Sequence, residues 1–432
     1  MESEATALLQ QLLRYDTVNP PGNERAAQEH VAALLRDAGF DDVQLLGRTH
    51  ERPNLVARLK GRAGGPVLGL LSHMDTVLAT PSEWQHDPWS GDLAGDEVWG
   101  RGAQDMKSQT ACEVTAAVTL ARSGWRPARG DLLVLVAVDE ETGGADGAAW
   151  ICANHPDLVR CDYLLNEGAG TVVHVGDERA YGVSVAEKGV FRFTLTTRGA
   201  AGHASMPGVA DNALPKLAPL LAALGTARPG FDVTEAPATL LRDLGIEVDG
   251  DPGGALERLR ALAPDLAAFV EPMLQVTFAP TRIGASDKVN VIPSAAWLKV
   301  DCRVPPGLGE DTARRRIAEI LDGVGPFELT FDEEVVGNAS PVDSPLMDAL
   351  RGWLAREDPG ARVVPTMLPA FTDSRTWRAT FPECVAYGFF PQRERTLPEM
   401  WRLVHGKDER IHVRDLGWAA RCYHDVTKEL LG

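Results

Sequence analysis

The segment LLVLVAVDEETGG, Leu132 to Gly144, constrains the fold of this chain most strongly: an unbroken apolar run from Leu132 to Val138 ends directly in Asp139, Glu140 and Glu141. Continuous apolar character without alternation marks a strand covered on both faces, as in a parallel sheet between two layers of helices. Two other segments behave alike. PVLGLLSHMD, Pro66 to Asp75, leads to His73 and Asp75, and DYLLNEGAG, Asp162 to Gly170, leads to Glu167. Helical patterns separate these runs. Asn23 is a candidate N-cap for a helix to Ala38, with Val31, Leu34, Leu35 and Ala38 on one stripe and Gly39 as its stop, and Ser108–Arg122 reads as a buried helix. The alternation predicts an α/β fold with a mainly parallel sheet and helices on both faces.

The pattern changes near Glu187. VFRFTLTTRG, Val190 to Gly199, alternates like a strand with one exposed face, VNVIPSAAWLKVDCRV reads as a strand pair, and FELTFDEEV reads as another strand. Helical segments fall at Leu214–Leu224, Leu256–Phe269 and Asp311–Leu321. The set suggests an α+β unit with two helices on an antiparallel sheet. From about Asn338 helix and strand signals alternate again, so a smaller domain, 187–335, is expected to be inserted into a larger one formed by 1–186 and 336–432. A chain of 432 residues exceeds what one hydrophobic core usually organises, which agrees with two domains.

A net charge of −18 argues against nucleic acid and anionic membrane surfaces as partners, since both demand clustered Lys and Arg. No apolar run is long enough for a membrane span, and MESEATALLQQLLRYD lacks the basic-then-apolar order of a secretion signal, so a cytoplasmic protein is expected. The six cysteines stand far apart with no C-x-x-C, which predicts reduced, packed thiols. Oxygen and imidazole are then left to bind any metal.

Each acidic strand end has an ordinary explanation when taken singly. His73-Met-Asp75 is compatible with a satisfied histidine near a cap, Asp139–Glu141 with a solvated loop, Asp105 with a helix cap and Glu167 with a turn. Taken together they deliver metal-competent side chains to the carboxyl ends of successive strands, the edge at which open parallel sheets bind ligands. Asp105, in the Gly-rich loop WGRGAQDMK, is expected to reach the same place. Carboxylates crowded on a half-buried edge repel one another unless cations neutralise them. Imidazole and carboxylate without thiolate suit Zn²⁺, with Co²⁺ or Mn²⁺ as substitutes, better than Ca²⁺ or Mg²⁺. A further histidine is needed, and spacing alone does not choose among His405, His412, His30, His50, His86, His155, His174 and His203.

The ordered motifs SHMDTV, GRGAQDMK, DEETGG, NEG, GHASMP and HGKDERI resemble those of the co-catalytic zinc aminoacylase and carboxypeptidase family, which includes acetylornithine deacetylase, succinyl-diaminopimelate desuccinylase and glutamate carboxypeptidase. The resemblance spans nearly the whole chain and implies a zinc-peptidase-like catalytic domain with an inserted lid and dimerisation domain. It implies two Zn²⁺ per subunit bridged by Asp105, one also held by His73 and Glu167 and the other by Glu141 and His405. Asp75 then orients the His73 ring. Glu140 is implied as the general base, and an extended DEE segment would turn neighbouring Glu140 and Glu141 to opposite sides. His203 is implied to complete the site of a neighbouring subunit in a homodimer.

Asn290, Arg303 and Arg375 match positions at which relatives bind a substrate carboxylate or the developing oxyanion, a task suited to a planar guanidinium. The implied activity is hydrolysis of an amide bond next to a free carboxylate, in an N-acyl amino acid or a short peptide. The alternative is a metal-binding or regulatory protein of the same fold without turnover. The presence of Glu140 speaks against that alternative.

Overall fold

The computed structural model describes residues 1–62 and 64–432. Two compact units divide the chain: Met1–Val185 with Ser340–Thr366 and Thr372–Gly432, and Ala186–Ala339 with Met367–Phe371.

The first unit is built on a mixed sheet. Its centre is parallel: strand Val67–His73 lies between Asp131–Ala137 and Tyr163–Asn166, and Val385–Gly388 follows beside the latter. The flanking strands Asp42–Leu46, Asn54–Lys60, Val172–Val175 and Glu178–Glu187 pair antiparallel. Alternate residues of the central run serve opposite faces, as the pleat requires. Leu133, Leu135 and Ala137 join Leu71, Leu164 and Val56 in a core against Ala148, Ile151, Cys152 and Trp377 of the helices Ala148–Asn154 and Ser374–Thr380. The strands Val67–His73 and Asp131–Ala137 also contact the helices Lys107–Arg122 and Val413–Leu431. Both of these helices bury Cys residues, and all six cysteines are free and buried. No helix among the described residues is long and apolar enough to cross a membrane.

The helix expected from Asn23 begins at Arg25, and its N-cap is Glu24, which makes no side-chain cap bond. The reason is tertiary. The fully buried Glu24 carboxylate accepts from Arg52 Nε at 3.0 Å and Nη2 at 2.7 Å instead. Gly39 ends the helix at φ 94°, a left-handed position that glycine adopts without a side-chain penalty.

The C-terminal helix Val413–Leu431 carries Asp415 in its first turn. Asp415 Oδ1 accepts the N–H groups of Arg393 at 2.8 Å and Glu394 at 3.3 Å, while the buried Oδ2 has no partner. Burial pushes this carboxyl up to about 7. A folded-state pKa raised above the unfolded value contributes stability at low pH that is lost as pH rises, here from about 4 to about 7. Asp415→Asn keeps the Oδ1 acceptor and removes the buried charge. It is expected to leave the melting temperature nearly unchanged at pH 4 and to stabilise the protein by roughly 1–4 kcal/mol at pH 8, measured by thermal denaturation.

The second unit is an antiparallel sheet of strands Gly189–Val190, Phe193–Arg198, Thr277–Gly284, Ala295–Val304 and Glu328–Phe331. Strand Ala295–Val304 alternates strictly, sending Ala296, Leu298, Val300, Cys302 and Val304 into the core with Phe193 and Leu195. Helices Leu217–Gly225 and Glu310–Leu321 close that core through Leu217, Leu220, Leu224, Ile317 and Leu321. Beyond this pair the unit holds Glu235–Asp243, Pro252–Leu262 and Pro264–Val270. The single helix expected over Leu256–Phe269 breaks at Ala263, which leaves the helical region at φ −151°, ψ 78°, because the following Pro264 lacks an N–H and crowds a helical predecessor.

Candidate metal centre

Sheet register accounts for much of the site. His73 ends its strand opposite Ala137, so Asp139, Glu140 and Glu141 emerge beside it, and the Leu70–Leu165 pairing on the other side brings Glu167 to the same edge. Two loops complete the group, with Asp105 preceding the helix Lys107–Arg122 and His405 preceding strand Arg410–His412.

The result is two trios that could each hold a metal ion and that share one carboxylate: His73, Asp105 and Glu167, and Asp105, Glu141 and His405. His73 Nε2 lies 3.1 Å from Asp105 Oδ1 and 3.8 Å from Glu167 Oε1. His405 Nε2 lies 3.1 Å from both Asp105 Oδ2 and Glu141 Oε2. The other nitrogen of His73, Nδ1, sits 3.0 Å from the Asp75 carbonyl oxygen and 3.5 Å from its Oδ1.

Electrostatics follow from this crowding. Burial alone would lift the Asp105 carboxyl, but hydrogen bonds and charge from His405 and His73 hold it well below the usual range. Burial and neighbouring carboxylates push Glu167 and Glu140 well up and raise Glu141. His405 is lifted to about 10 by Asp105 and Glu141. His73 is pulled down by burial yet raised well above its ordinary value by Asp105 and Asp75. Carboxylates and imidazoles crowded in this way must give up their protons before they can hold a metal ion.

The DEE segment is not extended. Asp139 adopts φ 69° and Glu140–Thr142 forms a 3₁₀ turn, so the adjacent glutamates diverge because successive side chains of such a turn point about 120° apart, not because of a strand pleat. Asp75 holds this turn, accepting the N–H of Glu140 through Oδ1 and that of Glu141 through Oδ2, both at 3.1 Å. One carboxylate therefore faces the His73 ring and fixes the backbone of both glutamates.

Several contributors carry no sequence signal of their own. Asn19 donates to Asp75 at 2.8 Å and to Asp139 at 3.1 Å, and Arg52 bridges the buried Glu24 to Asp139 at 3.0 Å. The left-handed conformation of Asp139, uncommon outside glycine, is thus over-determined by its side-chain partners. Asp373, in the FTDSR segment, is buried and close enough for its charge to raise Glu140 and Glu167. Arg375 lies half-buried in the first turn of the helix Ser374–Thr380.

His203, Asn290 and Arg303 belong to the second unit. His203 is exposed, pairs across strands with Val291 and accepts the Ser205 N–H through Nδ1 at 3.2 Å. The Asn290 carbonyl accepts from Ala204 N–H at 3.1 Å, which joins the two segments. Arg303 donates to both oxygens of Asp301 at 2.6 and 3.2 Å and stacks 5.5 Å from the Phe371 ring, leaving Nη1 buried without a partner.

The sequence profile of Peptidase family M20/M25/M40 matches residues 69–429. A succinyl-diaminopimelate desuccinylase of Cereibacter sphaeroides is 31% identical over 99% of both chains. A probable carboxypeptidase S-like 1 of Dictyostelium discoideum is 27% identical over 81% of this chain and 70% of its own length. Among solved structures, an M20 family metallo-carboxypeptidase of Sulfolobus solfataricus superposes with a TM-score of 0.75 at 18% identity over 99% of both chains, which shows a shared fold. By its motifs, its fold and a profile covering most of its length, the chain belongs to Peptidase family M20/M25/M40.

Proposed function

We propose that this protein is a hydrolase that uses two Zn²⁺ ions to cleave an amide bond next to a free carboxylate, in an N-acyl amino acid or a short peptide. The observation that carries the reading is the pair of ligand trios sharing Asp105. Three carboxylates and two imidazoles gathered beside one sheet edge, with Glu141 Oε1 buried and unpartnered, form a mixed oxygen and imidazole donor set that suits a pair of Zn²⁺ ions. His73, Glu167 and one oxygen of Asp105 would hold the first ion, and Glu141, His405 and the other oxygen the second. Bound there, the ions would supply an acidified water and polarise the scissile carbonyl.

The chain's own residues do the rest. Glu140 stands outside both trios and accepts a proton at its carboxylate, to be handed to the departing nitrogen. Asp75 keeps the His73 ring oriented and the Glu140 turn in place. Arg303 and Arg375, with Asn290, are the groups proposed to receive the substrate carboxylate and the oxyanion. Because Asp301 already neutralises Arg303, its share is the free Nη1 donor. His203 is proposed to serve the partner's site in a homodimer through the second unit, where Met206, Val209 and Val289 are exposed around it.

The desuccinylase and carboxypeptidase names of relatives support an amide substrate bearing a carboxylate. A panel of N-acyl amino acids and dipeptides tests the reading. Turnover is expected to vanish after dialysis against a chelator and to return with Zn²⁺, Co²⁺ or Mn²⁺. Hydrolysis that survives metal removal, or a metal-loaded protein inert toward the whole panel, would defeat it.

A further inference from the structure

Three of the proposed ligands sit at or just beyond strand ends, where the sheet fixes them, but Asp105 and His405 sit on loops and need another anchor. Glu409, four residues beyond His405, is fully buried. Its carboxylate accepts four hydrogen bonds: at Oε1 from the N–H groups of Gln104 at 2.6 Å and Asp105 at 3.0 Å, and at Oε2 from Gly102 N–H at 3.1 Å and Arg101 Nη1 at 2.6 Å. The same guanidinium turns its Nη2 to the carbonyls of Gly406 at 2.9 Å and His405 at 3.4 Å, and lies 5.2 Å from the Trp84 ring. The Gly100 N–H closes the arrangement on the Glu409 carbonyl at 2.9 Å.

The His405 loop needs such support. His405 and Asp408 both occupy the left-handed region, at φ 57° and 59°, which is uncommon for side-chain-bearing residues and costs free energy that surrounding contacts must offset. Asp408 is fixed by Gln85, whose N–H and side-chain amide donate to it at 2.8 and 3.0 Å. His405 makes its side-chain contacts through Nε2 at the centre, and Arg101 Nη2 reaches its carbonyl at 3.4 Å. An ion pair this buried carries a desolvation cost, and removing one partner leaves the other charge buried and uncompensated.

We propose that Arg101 and Glu409 act as positioning residues, a single buried clamp that fixes the Asp105 loop and the His405 loop to each other and so sets the separation of the shared carboxylate from the imidazole of the second ion site. This rests on the two-ion reading above. Neither residue touches substrate or metal. The effect runs through backbone: the Asp105 N–H on one side and the His405 carbonyl on the other.

The test is zinc titration of the metal-free protein, with circular dichroism and thermal melts to establish folding. Glu409→Gln preserves shape but cannot accept all four donors. It is expected to bind one of two Zn²⁺ roughly 10- to 100-fold more weakly, the scale seen when groups behind metal ligands are removed. At saturating zinc its kcat should fall with KM nearly unchanged. Arg101→Gln leaves the three backbone donors on Glu409 and frees the His405 carbonyl, so it should weaken one zinc site and spare the other. It also carries the test alone if Glu409→Gln does not fold. A folded variant that binds both ions as the wild type does overturns the clamp while leaving the two-ion reading intact. Wild-type protein that takes up fewer than two ions overturns both.

Discussion

Glu140→Gln is expected to lower kcat by roughly 10²- to 10⁴-fold, the usual contribution of a positioned general base, while the protein keeps two bound ions. The separation of these effects follows from geometry. Glu140 belongs to neither trio, and its backbone N–H, which the substitution leaves in place, is what binds Asp75. Glutamine fills the same volume and cannot take up a proton. A second readout comes from stability. Burial and the charges of Glu167 and Asp373 raise the Glu140 carboxyl well above its ordinary value, so in the metal-free protein it contributes stability at low pH that is lost as pH rises past the ordinary carboxylate range. A neutral isostere should therefore raise the melting temperature of metal-free protein at pH 7 and have little effect at pH 4. Loss of turnover with gain in stability is the trade-off expected of a group kept for chemistry at the expense of the fold. Steady-state kinetics, metal analysis and thermal melts on the same preparation check all three points. Turnover within tenfold of wild type would remove Glu140 from the mechanism.

What the sequence revealed divides along a physical line. The buried strands were legible because Leu132–Val138 is continuously apolar, rich in valine and too short for a helix, and the strand-end positions of His73, the DEE group and Glu167 followed from that placement. Loop conformation was not legible. The DEE segment reads as extended, yet forms a turn because Asn19, Arg52, Thr142 and the Asp146 N–H all converge on the Asp139 carboxylate, residues up to 120 positions apart in sequence. Asn23 is a good cap by type, but the helix starts after Glu24 because a buried partnership with Arg52 outweighs a local cap. Periodicity could not show that Arg101 and Glu409 meet across 308 positions, for each looks like an ordinary charged residue in a polar loop. The identity of the final histidine lay beyond spacing too. His405 emerged only from motif resemblance, and the structure brings its Nε2 to Asp105 and Glu141.

The shared carboxylate carries the other large expectation. Asp105→Asn should reduce the bound zinc from two ions to one at most and cut turnover by roughly 10³-fold or more, the scale on which loss of one member of a catalytic unit acts. Asparagine offers a single oxygen acceptor, so one side of the pair loses its ligand while an amide N–H is turned toward an imidazole or an ion. The metal-free protein makes a separate test. There Asp105 accepts from both imidazoles, which lowers its own proton affinity and raises that of His405 to about 10. The lowered carboxyl contributes stability above the ordinary aspartate range that is lost as pH falls through its folded value. The raised His405 contributes stability below about 6.5 that is lost as pH rises toward 10. Both contributions are present together at about pH 5–6, so metal-free Asp105→Asn should be most destabilised relative to wild type in that window and progressively less so toward pH 10. Zinc must displace the imidazole protons to bind, so wild-type affinity for the ion at His405 should weaken with falling pH, with protons released on binding. Calorimetric titration in buffers of different ionisation enthalpy counts those protons. A folded Asp105→Asn protein that still binds two ions would show that Asp105 bridges nothing, and the proposed centre would have to be rebuilt from two independent sites.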